Sequence, residues 1–524
     1  MVAARAAVAP RESAAVPRCP LPAPQRGTLG MFLGIDLGAG SLKATVIRRD
    51  GAVLAEASAP VETVRPRPGW AEQEPSGWLH ALSAALKAIS ERIDLGGLNG
   101  ISFTGGTHTC VLLDAHGEVV RRPILWSDQR AGTEAAALNE RMQDRLIAIA
   151  YNKAAPTWSI APLHWLVKND PDAVRRTAKV LFVKDYLRHQ LTGDWLTDRI
   201  DAQGTLMLDG GDFTWSDELC DAIGWDRATL PEIRNPTDRA GVVTENAARR
   251  FGLRGGTDVY VGTCDTAAEV WAAGAVDVGS AVIKLATAGV VSVMVDRPYL
   301  QTDIAYKSFV VPQSGYVLAA INSCASAHKW LRNVIGGRGT AAASFDELDR
   351  EAGATAPGAD GLLFHPYLQG ERAPYWDPAL RADFLGLTMS HDRGHLVRAF
   401  YEGVAFALRD AASRFRAAGL GIGSASLVGG GAVSDVWAQI IADVFAIEVR
   451  RPVHGDASYA AALMAAVGAG AFTDETDAVR RAVVFGPAIR PREDVAITYD
   501  RLFDRYQRSK QLLTALNHEI SADA

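Results

Sequence analysis

The 524-residue sequence is poor in the features that mark whole classes of protein. Its five cysteines, Cys19, Cys110, Cys220, Cys264 and Cys324, are odd in number, scattered, and form no CxxC pair. A disulfide framework and a structural zinc site are both excluded as readings, and a reducing cytoplasm is the expected compartment. No run reaches the ~18 consecutive apolar residues of a membrane span. The nearest, Ala457 to Phe472, is short and Ala- and Gly-rich, and reads as a packed helix. No excess of positive charge is present: the formal charge is −6 and the pI near 6.0. Nothing global would recruit the chain to nucleic acid or to an anionic membrane. GxxxxGK[ST], HExxH and GxSxG do not occur, and no GxGxxG opens a βαβ unit with a distal acid. P-loop NTPases, zincins, serine hydrolases of the elbow type and Rossmann dehydrogenases lack support.

What is present is an average globular composition, 48% hydrophobic and 22% charged, with ample apolar surface for two cores. Residues 1–30 stand apart. They carry Pro10, Pro17, Pro20, Pro22 and Pro24, with Glu12 as the one acid, and no apolar core of signal-peptide length. They are expected to be a disordered extension or a start assigned too early, with Met31 the functional start.

From Phe32 the pattern becomes regular. Phe32–Asp36 reads as a buried strand, Leu37–Ser41 as a Gly-rich turn, Lys43–Arg48 as the return strand and Ala52–Ala57 as a third. The same grammar recurs with Ala281–Leu285, the turn Ala286–Gly289 and Val290–Val295. Gly100–Thr104 and Val259–Thr263 read as further core strands of the first half, and Leu362–Tyr367 and Ala425–Gly429 of the second. Helices are expected over 76–93, 132–145, 392–418, 435–445 and 458–469. Two halves with like hairpin starts imply a duplicated α/β domain, divided near 273–278, with a cleft as the default site.

Several residues carry candidate chemistry. Asp36 ends a strand beside a Gly-rich turn. It either caps the turn or orients a divalent ion while the turn's N–H groups face phosphate. Asp265 ends another strand and opens a helix, so it is either an N-cap or a ligand-facing acid at a strand's carboxyl end. One acid placing a metal and another accepting a hydroxyl proton suits phosphoryl transfer from ATP to an alcohol. Gly429–Ser434 is a glycine run before a helix, a plain turn or a close approach to a nucleotide. His108 lies in a glycine-flanked strand end, and Trp70, after Pro68-Gly69, either walls a sugar or staples its loop. Trp126-Ser127-Asp128-Gln129-Arg130 repeats that theme.

The ordered series GIDLGAGSLKA, PGWAEQEP, GGTHTCVLLD, ILWSDQRA, VKDYLRHQLTGDWLTD, VGTCDTAA, LATAG, PYLQGERAPYWDP, FLGLT, EGVAFALRD and GGGAVSDVWAQIIAD resembles the FGGY carbohydrate kinases, from about Phe32 to Gly470. Among them it is most similar to the branch acting on D-xylulose. The resemblance implies an α/β fold of two actin-like, ribonuclease-H-like domains around a central cleft. It implies a sugar-binding domain over 31–274 that carries the base, an ATP-binding domain over 275–510 and a tail over 511–524. Asp265 would be the catalytic base and Asp36 the Mg²⁺ residue. Trp70, Thr107, His108, Asp265 and Thr266 would line the sugar. Gly38, Ser41, Lys43, Thr287, Gly289, Gly430, Gly431 and Asp435 would hold ATP. The implied partners are a small sugar and ATP, with no nucleic acid and no membrane, and a homodimer is compatible.

Three departures matter. The second phosphate turn, usually LGTSG, reads LATAG, so Thr287 is kept and a serine hydroxyl is lost. The D-xylulose branch commonly reads GQMHG and GDNAAG. Here Thr107 stands at the Met position and Thr266 at the Asn position. That opens ribulose, L-xylulose, erythritol or arabinitol as alternative acceptors. A non-catalytic sugar-responsive regulator on the same scaffold is the reading from another class, but it would be expected to lack Asp36 or Asp265.

Overall fold

In the computed structural model, residues 30–300, 304–335 and 343–523 are described. The expected extension over 1–30 lies, apart from Gly30, outside them. The chain divides into two compact units. One runs up to Ala268 and takes in Ala457–Ala478; the other comprises Glu269–Asp456 and Val479–Ala524.

The first unit is built on a sheet of Met31–Leu37 (β1), Ser41–Arg48 (β2), Val53–Pro60 (β3), Leu98–Gly105 (β4), Arg239–Val242 (β5), Asp258–Tyr260 (β6) and Thr263–Cys264 (β7). Its order is β5-β6-β4-β1-β2-β3, with β7 also on β4. β1, β2 and β3 form the expected antiparallel meander, and β4 adds parallel to β1. Inward Leu33, Ile35, Leu37, Ala44 and Val46 meet Trp78, Leu82 and Leu86 of the helix Pro75–Ser90 in one core. A second core, including Leu138, Leu163, Met207 and Trp225, gathers the helices Gly132–Ala150, Ile160–Asn169 and Asp217–Ile223.

The second unit repeats the plan with Ser280–Leu285 (β8), Gly289–Val295 (β9), Ala305–Ser308 (β10), Gly315–Ile321 (β11), Ser424–Val428 (β12) and Glu448–Arg450 (β13). The order is β10-β11-β9-β8-β12-β13. β8, β9 and β11 are the antiparallel meander, and β12 adds parallel to β8 as β4 does to β1. The duplication inferred from the two hairpins is thus visible strand by strand.

Three expectations change. First, the helix Ala457–Gly468, within the expected 275–510, packs with the first unit. It lies on β1 so closely that a Cβ on Gly34 would stand 1.9 Å from the Ser458 carbonyl oxygen and 2.2 Å from Ala462 N. A buried 2.6 Å bond joins Thr45 Oγ1 and Ser458 Oγ. The two compact units divide inside the helix Asp265–Ala272. Second, Leu363–His365 is not a core strand. Among the described residues it pairs only with Asp383–Leu385, in a separate two-stranded sheet. Its apolar residues serve another contact, with Phe364 against Phe384 and Phe400. Third, 511–524 is no tail. The helix Glu493–Ala522 continues through it, held by His518 Nε2 to Asp377 Oδ2 at 2.8 Å and by Ser521 Oγ donating to the Ala379 carbonyl at 2.7 Å. Among the described residues, no helix is long and apolar enough to cross a membrane.

Candidate active site

Asp265 is placed by an interrupted strand. The run 259–263, expected as one strand, breaks at Gly262, whose φ is +77°. A Cβ there would sit 1.9 Å from the Phe103 carbonyl oxygen, so only glycine permits this approach to β4. Pairing resumes at Thr263 with Thr104 and at Cys264 with Gly105. The two parallel strands therefore end level, and the residues just beyond them meet. Thr107 Oγ1 donates to Asp265 Oδ1 at 2.6 Å. Thr266 donates to the same oxygen from its backbone N at 2.6 Å and lies 3.1 Å away through Oγ1. Asp265 is partly exposed, whereas Thr107 is buried.

His108 follows in a left-handed conformation, φ +69°, a strained backbone for a non-glycine residue. Its ring stacks on Trp158 at 4.6 Å, and its carbonyl accepts from Ser159 Oγ at 2.9 Å. A Cβ on Gly204 would meet its Nδ1 at 2.4 Å, so that glycine makes room for the imidazole. Trp70 is engaged elsewhere. The Arg130 guanidinium lies 3.6 Å from its ring centre, and Trp165 meets it edge-on at 5.4 Å. Arg130 is itself bound by Glu72 and Asp128. These contacts hold the Trp70 indole against Arg130 and Trp165. The indole beside the Thr107 turn is Trp126, 46% exposed, with its Cδ1 3.5 Å from where a Gly106 Cβ would be. The repeat of the aromatic-polar theme at Trp126 was the signal for it.

Behind Asp265 is a fully buried charge network. Lys184 lies against Asp185, and its Nζ is 3.0 Å from Asp198 Oδ1. Arg188 Nη1 donates to Asp185 Oδ1 and to the Val261 carbonyl, both at 2.7 Å, and Thr263 Oγ1 donates to Asp198 Oδ2 at 2.7 Å. Burial alone would lower the Lys184 ammonium's pKa. The carboxylates of Asp185, Asp198 and Asp201 more than offset it, and the net shift is upward.

The first Gly-rich turn is exposed at Ala39, Gly40 and Ser41. Its carbonyl at Ala39 accepts from Gln73 Nε2 at 2.7 Å, and Gly38 N donates to the Ser41 carbonyl at 3.0 Å. Asp36 Oδ1 accepts from Thr104 Oγ1 at 2.9 Å. Lys43, opposite Asp36 in register, is paired with Glu56 at 2.9 Å.

In the second unit, the carbonyls of Ala286 and Thr287 accept from the start of the helix Ala325–Ile335, leaving Thr287 exposed. Gly289 has no room for a side chain, since a Cβ would come within 2.9 Å of Ile321 and Leu408. The glycine run divides by role. Gly429 and Gly431 are demanded by contact with Leu285, but nothing lies within 4 Å of a Cβ on Gly430. Ser434 caps the helix Asp435–Phe445, and exposed Asp435 pairs with Arg451.

Glu371, in the GERAPYW segment, is a buried acid that single-residue reading passed over. Its Oε1 accepts from the backbone N of Asn322 and of Arg372, both at 2.7 Å. Burial pushes its carboxyl up to about 7 against those bonds. The folded chain then holds this proton where the unfolded chain has lost it. Stability is expected to fall as pH rises from about 4.5 to about 7, by on the order of 3 kcal/mol, and to level off above. Glu371→Gln keeps the accepting oxygen and removes the titration. Its advantage over wild type in urea unfolding should grow from pH 5 to pH 7.5; a constant difference would refute the assignment.

Family models give the frame for these sites. The N-terminal domain of the FGGY family of carbohydrate kinases matches residues 31–271, and its C-terminal domain residues 281–469. The chain belongs to the FGGY family of carbohydrate kinases. This kinase is 32% identical to the xylulose kinase of Lactococcus lactis, over 93% of the chain and 98% of that relative. It is 32% identical to the xylulose kinase of Escherichia coli, over 81% and 87%. The crystal structure of xylulose kinase from Rhodospirillum rubrum superposes with a TM-score of 0.85 at 30% identity, covering 93% of this chain and all of that one. The fold is the two-domain, actin-like fold of the family. As a carbohydrate kinase, the enzyme takes a sugar and ATP.

Proposed function

We propose that this kinase transfers the γ-phosphoryl group of ATP to the primary hydroxyl of D-xylulose, giving xylulose 5-phosphate, in the cytoplasm. The observation that carries the reading is the Asp265 carboxylate. It stands at the level ends of two parallel strands, one oxygen bonded by Thr107 and Thr266, the other accepting from no described residue. Asp265 Oδ2 takes the hydroxyl proton as the sugar oxygen bonds to the γ-phosphorus and the β–γ bridging oxygen leaves with ADP. The transition state of such a transfer is loose, so orientation and charge neutralisation outweigh base strength. His108, Thr266 and Trp126 surround the sugar, with Trp126 giving an apolar wall. Trp70 holds the loop that carries its neighbours.

Phosphate contacts are assigned to the turn Gly38–Ser41 with Lys43 in the first unit and to Thr287–Gly289 in the second, each exposed at least in part. The adenosine end is assigned to Gly430, Gly431 and Asp435, where the Cβ-free face of Gly430 is open. Among the described residues no group of three or more His, Cys, Asp and Glu could hold a metal. Mg²⁺ needs no such cage, because it binds one or two carboxylates together with nucleotide phosphates and water. Asp36 beside the first turn fits that donor set. When bound there, Mg²⁺ would neutralise phosphate charge.

The test is ADP release with Mg-ATP and a panel of D-xylulose, L-xylulose, D-ribulose, L-ribulose, erythritol, D-arabinitol and glycerol. A kcat/KM for D-xylulose at least about tenfold above every other acceptor is expected. Preference for another acceptor would refute D-xylulose and keep the kinase chemistry.

A further inference from the structure

Thr107 was expected to meet the sugar. Its bonding assigns it elsewhere. A threonine hydroxyl has one proton to donate. In Thr107 that proton goes to Asp265 Oδ1, at 2.6 Å. Its oxygen is also 3.3 Å from Thr266 Oγ1. We infer that Thr107 is a positioning residue for the catalytic carboxylate, fixing Asp265 so that Oδ2 alone faces the acceptor hydroxyl. The inference rests on the proposed role of Asp265.

Asp side chains turn readily about Cβ–Cγ, where the energy wells are broad and two-fold. Three contacts on Oδ1 select one orientation. Two come from Thr266, the adjoining residue, and move with Asp265 itself. Thr107 reaches it from just beyond the neighbouring strand β4, 158 residues away in sequence, and is itself buried. Among the described residues it is the one pin that ties the carboxylate to a different strand. Methionine, common at this position in the D-xylulose branch, cannot donate a hydrogen bond. This chain therefore holds its base by a device that the usual residue lacks. A charge-assisted bond is among the stronger kinds, and small misplacement of a reacting group is costly to rate.

The test compares Thr107→Val, which keeps the shape and removes the proton, with Thr107→Ser, which keeps the proton. With the best acceptor of the panel, Thr107→Val should lower kcat by about 10- to 100-fold and leave KM for sugar and ATP within about threefold. Thr107→Ser should recover kcat to within about threefold of wild type. Raised sugar KM with unchanged kcat would overturn the inference in favour of a sugar contact. Equal kinetics of Val and wild type, or equal loss in Val and Ser, would overturn it as well. Crystal structures of wild type and Thr107→Val decide the point without any acceptor. The carboxylate of Asp265 should turn in the variant, and an unturned carboxylate refutes the inference. If wild type phosphorylates nothing on the panel, the proposed function fails on that ground alone, and the structural comparison still decides Thr107.

Discussion

Asp265→Asn is expected to lower kcat by roughly 10³-fold while ATP affinity stays within about twofold of wild type. Asparagine has nearly the shape of aspartate. Its Oδ1 can still accept from Thr107 Oγ1 and Thr266 N, so the local fold has no reason to rearrange. What changes is the other terminal atom. Where Oδ2 could take the acceptor's proton, an NH₂ group can only donate. The loss should therefore appear in kcat, in steady-state ADP release, with nucleotide binding measured separately by calorimetry. Retention of more than about a tenth of the wild-type rate would mean that orientation alone drives the transfer and that another group takes the proton.

Lys184→Met is expected to destabilise the protein by about 3–5 kcal/mol. Lys184, Asp185, Arg188 and Asp198 are all fully buried. Removing the ammonium takes the cation from beside Asp185 and Asp198 in a site closed to water, and methionine restores only the volume. The damage should reach the active site as well. Arg188 holds the Val261 carbonyl and Asp198 accepts from Thr263, on either side of the Gly262 break that delivers Asp265. Urea unfolding followed by tryptophan fluorescence measures the loss, and kcat should fall in step. A loss below about 1 kcal/mol would show that the remaining carboxylates find other partners.

Much of this architecture was legible in the sequence. The hairpins β1–β2 and β8–β9 were readable because alternation and Gly-rich turns are local signals, and both meanders form where they were expected. The helix Ala457–Gly468 was recognised as a helix, but its sheet was not. Every one of its residues is buried, so no polar face marks which surface it covers. Leu362–Tyr367 misled for the related reason that a short apolar run does not say which partner it meets. At the site, the level strand ends brought together Asp265, Thr107 and Thr266, all singled out in advance. The commitment of Thr107 to Asp265 was invisible because a motif displays neighbours along the chain, and this bond spans two distant segments. Trp70 and Trp126 could not be ranked from sequence because both sit in similar aromatic-polar loops. Arg130 over Trp70 separates them.

The helix on β1 also sets an order of assembly. Domains generally fold as units while the chain is being made, the N-terminal one first. Here the ribosome delivers β1 to β4 early, but the helix that covers them, Ala457–Gly468, emerges only after β8 to β13 have been made. A nascent chain thus exposes the close-packed face around Gly34 through most of its synthesis, and a chain stopped at Asp456 would carry every strand of both sheets and still lack the cover of the first.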